Sequence, residues 1–139
     1  MAVKTFDMHL STKGFGDMID VTQQVQDLVK KSRLTEGIAT VFIPGSTAAV
    51  TTVEYESGAV SDLKDAFDRL VPTDMTYAHN ERWGDGNGFS HVRSALLKTS
   101  LTIPFTGGNL MLGRWQQVTV VDFDNGTRDR RVIVQVMGE

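Results

Sequence analysis

Two of the chain's three histidines, His79 and His91, fall within one fifteen-residue stretch, "YAHNERWGDGNGFSH", with Asp85 midway between them. Imidazole titrates near neutrality more readily than any other side chain, and it is a common metal ligand. A carboxylate within reach can orient it or share a cation with it. Gly84, Gly86 and Gly88 let the backbone turn sharply and come close to a ligand. Their amides precede a predicted helix start, where anions are favoured. Imidazole, carboxylate, indole and free amides in one small volume suit proton transfer, metal ligation or phosphate binding. The same composition also suits a solvated surface turn. Two histidines and an aspartate without an established ligand spacing are a weak zinc signal. "GDGNG" lacks the repeated acids of an EF-hand calcium loop.

Three further groups hold candidates. In "PGSTAAVTTVEYE", small residues at a strand break can form an anion nest, with the Ser46 and Thr47 hydroxyls assisting. Glu54 and Glu56, two apart in a predicted strand, share a face there. The alternative for this segment is a turn followed by an edge strand carrying solvated acids. "GRWQQ" puts Trp115 between Arg114 and Gln116. A tryptophan in a strand is usually core, but an exposed one gives a flat wall for an aromatic ring, with Gln116 reading ring heteroatoms. "RDRR" contributes Arg128, Arg130 and Arg131. Their forked guanidinium groups suit phosphate, or pairing with Asp122 and Asp124 across the Asn125-Gly126 turn.

Positioning these groups falls to a mixed set of elements. Residues 3–10 read as a half-buried strand, "STKG" as a turn, and 15–19 as the returning strand of a hairpin. Val21, Val25, Leu28 and Val29 have helical spacing behind Asp20 or Thr22 as cap, and Gly37 is the predicted stop. "GIATVFIP" and "TAAVTTVEYE" are strand runs. A second helix follows Ser57 and closes at Pro72. A third covers "FSHVRSALLKTS", capped by Asn87 or Ser90. "LTIPF" is a strand. "NLMLGRWQQVTVVDFD" is one long strand or two short ones interrupted at Gly113. "DNGT" carries a hairpin signal, and "RDRRVIVQVMG" is the last strand. The expectation is a single α+β domain over 1–139, with largely antiparallel, sandwich-like sheets and two to three helices.

The chain has 139 residues, 40% of them hydrophobic, a net charge of −3 and no cysteine. Disulfides, thiolate metal sites and thiol nucleophiles are therefore excluded. The negative balance argues against a generic grip on nucleic acid or an anionic membrane. No segment has the length and apolarity of a signal peptide or a membrane span, so a cytoplasmic setting is expected.

Taken in order, "GIATVFIPGSTAAVTTVEYE", "YAHNERWGDGNGFSHVRSALLKTS", "LTIPFTGGNLMLGRWQQVTVVDFD" and "RRVIVQVMGE" resemble the YjbQ family, also described as secondary thiamine-phosphate synthases. The resemblance spans roughly Gly37 to Glu139. It implies a compact α+β fold whose sheets pack around a three-fold axis, hence a homotrimer. It also implies a weak ability to join an aminopyrimidine diphosphate to a thiazole phosphate, releasing pyrophosphate. The family's polar pocket motif falls on His79, Asp85, His91 and Trp115, with Glu54 from the preceding strand. One departure is Gly45, where many members have a histidine; this rules out a three-histidine metal site unless His9 substitutes.

On this resemblance His79, Asp85, His91 and Glu54 are the catalytic candidates. Asp85 or Glu54 would hold a divalent ion on the diphosphate, and His91 would protonate or orient the leaving group. Arg93 or Arg114 would meet developing phosphate charge. Trp115 and Tyr77 would stack on the pyrimidine, with Ser46, Thr47, Asn87 and Gln116 as further binding residues. The expected partner is a small phosphorylated metabolite. Mg2+ or Zn2+ is the candidate cofactor, with His79, Asp85 and His91 as its ligands. The alternative is a non-enzymatic phosphometabolite- or metal-binding protein.

Overall fold

The computed structural model describes residues 1–139. The strands are β1 (Ala2–Thr12), β2 (Asp17–Asp20), β3 (Glu36–Phe42), β4 (Ala48–Val53), β5 (Ser100–Thr106), β6 (Asn109–Leu110), β7 (Gln117–Asp122) and β8 (Arg128–Gly138). The helices are α1 (Thr22–Ser32), α2 (Ser57–Leu70), α3 (Ala78–Trp83) and α4 (Gly88–Leu97). All strand pairs are antiparallel, in a five-stranded sheet β1-β8-β3-β5-β6 and a three-stranded sheet β2-β7-β4. The expected sandwich-like α+β architecture is the one found.

Strand alternation builds the layers. Val132, Val134 and Val136 of β8 and Ala39 and Val41 of β3 turn one face of the large sheet inward. They meet Val50 of β4 and Val118 and Val120 of β7, with Val25 and Val29 of α1 closing the same cluster. The opposite face of the small sheet carries Ala49, Val121 and Phe123, which pack with Phe67 of α2. Strand β7 is thus covered on both sides, which is why "VTVVDFD" reads as a nearly unbroken buried run. The order is large sheet, small sheet, then α2 and α4.

The structure corrects several expectations. The first two strands are not a hairpin. β1 pairs with β8 along its whole length, from Ala2↔Gly138 to Thr12↔Arg128, whereas β2 pairs with β7. Gly14, Phe15 and Gly16 all have positive φ and carry the chain from one sheet to the other. The Phe15 and Gly16 amides donate to the Asp124 and Asp122 carbonyls at 2.7 and 2.8 Å. The Asn125-Gly126 turn is likewise a sheet crossing, since β7 and β8 lie in different sheets.

The two crossings touch: a β-carbon on Gly14 would lie 2.5 Å from the carbonyls of Asp124 and Gly126. Helix α1 stops at Arg33 in the left-handed region, not at Gly37. Glu56, not Ser57, caps α2, accepting the Gly58 amide at 2.8 Å and the Ala59 amide. Those two bonds hold its carboxyl below the usual range. Glu56 therefore shares no strand face with Glu54, which follows the end of β4.

Candidate functional site

Part of the polar loop is itself a helix. Residues 78–83 form α3, entered from Tyr77 and stopped by Gly84 at φ 73°. At six residues it is too short to show a helical period in sequence. It folds back on α4 through Asn80, whose side-chain oxygen accepts the Gly88 amide at 2.8 Å. Tyr77 is buried beside Phe89 and Val71, and its hydroxyl donates to the Pro72 carbonyl.

Gly88 lets the two segments touch. A β-carbon there would sit 2.6 Å from Tyr77 Cβ and 3.0 Å from Asn80 Oδ1. Gly88→Ala is expected to cost about 1–3 kcal/mol by overpacking, read from the urea midpoint. An unchanged midpoint would mean that α3 is not seated on α4 as described.

This seating brings the histidines together. The rings of His79 and His91 meet edge to face, with centroids 4.2 Å apart and planes at 75°. His79 Nε2 is buried without a hydrogen-bond partner and lies 3.6 Å from Asp85 Oδ2. Asp85 is about half exposed, so a small movement of a free side chain would complete the bond. The arrangement can orient an imidazole and pass a proton. No group of three His, Asp or Glu side chains is disposed to hold a metal ion. His79, Asp85 and His91 therefore fit a hydrogen-bonding set better than a metal cage.

Asn87 and Thr47 belong to a buried network around Asp124. Asn87 Nδ2 donates to Asp124 Oδ1 at 3.2 Å, leaving its Oδ1 buried and unpartnered. Thr47 Oγ1 donates to Asp124 and accepts from Arg130. Arg130 Nε and Nη2 grip Asp122 at 2.7 and 2.9 Å, Thr12 donates to Asp122 at 2.5 Å, and Arg128 pairs with Asp124 at 2.9 Å. The arginine–aspartate pairing expected from "RDRR" is present, but it lies at the buried corner where the sheets join.

Burial pushes the Asp122 carboxyl up. The bonds from Arg130, Thr12 and the Asp124 amide outweigh that and hold it below its ordinary value. At Asp124 burial is likewise outweighed, by the Asn125 amide, Asn87, Arg128 and Thr47. The sequence signal for this network was two acids, two apart, inside a run otherwise buried.

Other candidates do not join the histidines. Arg93 is buried. Its Nε and Nη2 donate to the Val71 carbonyl at 3.0 and 2.8 Å, and Nη2 also reaches Asp68. The rings of Phe67, Phe89 and Phe123 surround it at 5.2–5.9 Å. It ties α2 to α4, and its Nε and Nη2 are committed to that joint.

Glu54, Arg114, Trp115 and Gln116 lie past the far end of β4, where Val53 faces Gln117. "GRWQQ" is largely a connector before β7, and Trp115 is 63% exposed, with Arg114 stacked 4.7 Å above it. Gln116 bonds the Gly113 amide and Thr52 Oγ1. Thr47, ahead of Ala48, belongs to the other end. The six residues of β4 separate the two groups by roughly 17 Å. Ser46 sits exposed in the turn before Thr47.

The UPF0047 protein YjbQ-like family model matches residues 6–139. The chain belongs to this family. A UPF0047 protein of Methanothermobacter thermautotrophicus is 37% identical over 139 residues, covering all of this chain and 95% of that one. A crystal structure of a YbjQ-like protein of unknown function from Sulfolobus solfataricus superposes with a TM-score of 0.94 at 29% identity, over 99% of each chain. A YjbQ/UPF0047 protein from Clostridium acetobutylicum gives 0.86 at 31% identity, over 95% of this chain and 99% of that one. The YjbQ fold is thus shared from end to end, the β1–β8 pairing and both sheet crossings included in the matched span.

Proposed function

We propose that this YjbQ-family chain binds phosphorylated small molecules at the His79–His91 pair and is a weak thiamine-phosphate synthase. It would join an aminopyrimidine diphosphate to a thiazole phosphate and release pyrophosphate. The diphosphate leaves with the electron pair of its C–O bond and needs a hydrogen bond or a proton at that oxygen. The observation that carries this reading is the buried, unpartnered His79 Nε2, 3.6 Å from Asp85 and against the His91 ring. A buried polar nitrogen without a partner calls for one, and Asp85 would supply it when the site closes on a ligand beside His91. Asp85 would orient His79, and His91 would serve the leaving group. No step is routed through a protein-held metal, because the donor set does not fit one. Magnesium would arrive with the diphosphate.

A second reading, a phosphometabolite binder without a native reaction, is favoured by the arginines. Arg93 is enclosed and Arg114 lies at the other end of β4, so neither supports developing phosphate charge at the histidines. On that reading positioning alone accelerates a reaction that already has a good leaving group. The test is pyrophosphate release by the wild-type chain, with thiazole phosphate and magnesium each present or omitted. Release that requires both supports the synthase. Saturable diphosphate binding without release supports the binder, and neither binding nor release overturns both.

The homotrimer belongs to the same proposal. The outer face of the large sheet aligns Val3, Met137, Ile38 and Pro104 in one register row. Val3, Ile38, Phe42 and Met137 are exposed there. A row of this kind suits burial against another copy. No helix is long and apolar enough to cross a membrane. The cytoplasmic setting and the absence of nucleic-acid partners rest on the sequence argument.

A further inference from the structure

Lys98 ends α4 with φ 80° and ψ 159°. That region of backbone space is occupied almost only by glycine, and side chains held there cluster at ligand clamps and active sites. The conformation is pinned from both sides: the Lys98 amide donates to the Ser94 carbonyl at 2.9 Å, and its carbonyl accepts the Val50 amide at 3.1 Å. Lys98 belongs to none of the molecule's ion pairs.

It lines a cavity of about 330 Å³ between the open edge of β4 and the stretch of β5 that precedes its pairing with β6. The volume is at the lower end of small-molecule sites. Leu97, Leu101 and Leu112 supply apolar surface, alternating with Thr52, Thr102 and Gln116. Donors face into it as well. The Val50 amide points away from β7, so the Thr52 amide, two residues on, does too, and β4 has no strand on that side.

We infer that this cavity is a second small-molecule site, for a ligand with an apolar body and an anionic group that pairs with Lys98. An ammonium outside any ion pair and a free edge amide at one cavity suit an oxyanion, carboxylate or phosphate. The apolar walls call for a ring or branched chain. Strain at Lys98 is retained because the position needs a cation where the backbone would favour glycine. The site does not depend on the chemistry proposed for the histidines. His91 and Lys98 are seven residues apart, about 10 Å along the helix, and no histidine lines the cavity.

The test uses the full chain with phenyl phosphate and benzoate as probes, followed by amide chemical shifts and calorimetry. Saturable shifts at Thr52 and Gln116 are expected from at least one probe, and which probe binds names the anion. Lys98→Met is expected to weaken binding, followed at the Thr52 and Gln116 amides, tenfold or more, apart from any phosphate binding at the His79–His91 pair. Lys98→Gly is expected to lose binding and yet raise Tm by about 3–8 °C, because the strain goes with the side chain. Absence of shifts up to ~10 mM probe, equal binding by Lys98→Met, or a lowered Tm in Lys98→Gly would each overturn the inference.

Discussion

His79→Ala is expected to lower pyrophosphate release by about 10²–10⁴-fold, the range for loss of a positioned acid or base. The expectation follows from where Nε2 lies. It is screened from water, it has no partner, and Asp85 is one small rotation from bonding it. Alanine removes the imidazole and also the edge that holds the His91 ring at 4.2 Å. His91→Ala should therefore cost a similar factor. The double variant should cost little more than either single one, since groups acting as a unit are not additive. Asp85→Asn keeps a hydrogen-bonding partner but loses the charge, so a smaller loss is expected, falling on kcat more than on KM. Full release in both histidine variants would remove the catalytic reading, and diphosphate binding would then decide whether the pair binds at all.

The sequence was informative wherever a signal was local. The valines of β8, the apolar stripe of α2 and the both-face burial of β7 all follow from period and composition, and they deliver the sandwich. Pairing was not local. "STKG" and "DNGT" look like hairpin turns because turn chemistry is the same whether the chain returns to its own sheet or enters another. What sends it across is the set of bonds from Phe15 and Gly16 to the end of β7, and no nearby residue announces it.

The site was legible in part for a similar reason. His79, Asp85 and His91 are near in sequence and meet in space. Glu54 and Thr47 are also near in sequence, but an extended strand separates them as far as seven residues can. Arg93 falls two residues after His91 and turns to the opposite side of α4, into aromatic rings that lie far from it in sequence. Lys98 carries no sequence signal, since only its backbone angles mark it.

Asp122→Ala is expected to destabilise the fold by about 3–5 kcal/mol, the usual consequence of removing one partner from a buried ion pair. Asp122 is fully buried, and it accepts from Arg130 twice, from Thr12 and from the Asp124 amide. Without it the Arg130 guanidinium, 11% exposed, keeps Thr47 Oγ1 at 2.8 Å and, as its one acidic partner, Asp124 at 3.7 Å. The loss falls where both sheet crossings meet, so a smaller urea midpoint should be accompanied by increased exchange at the Phe15 and Gly16 amides. Asp122→Leu combined with Arg130→Met should recover part of the loss, because no charge is then left buried.

Acid gives an independent check. Asp122 and Asp124 are held below the carboxylate range in the fold and return near 3.9 on unfolding. Around pH 3–4 the unfolded chain therefore binds more protons, and stability rises with pH. The contribution is complete above about pH 5 and is lost as pH falls through the lowered folded values. Wild type should lose stability below about pH 4, and Asp122→Ala should show a shallower fall from a lower plateau. If the two profiles ran parallel, Asp122 would not be ionised in the fold, and the corner would be held by Thr12, Thr47 and Asn87 alone.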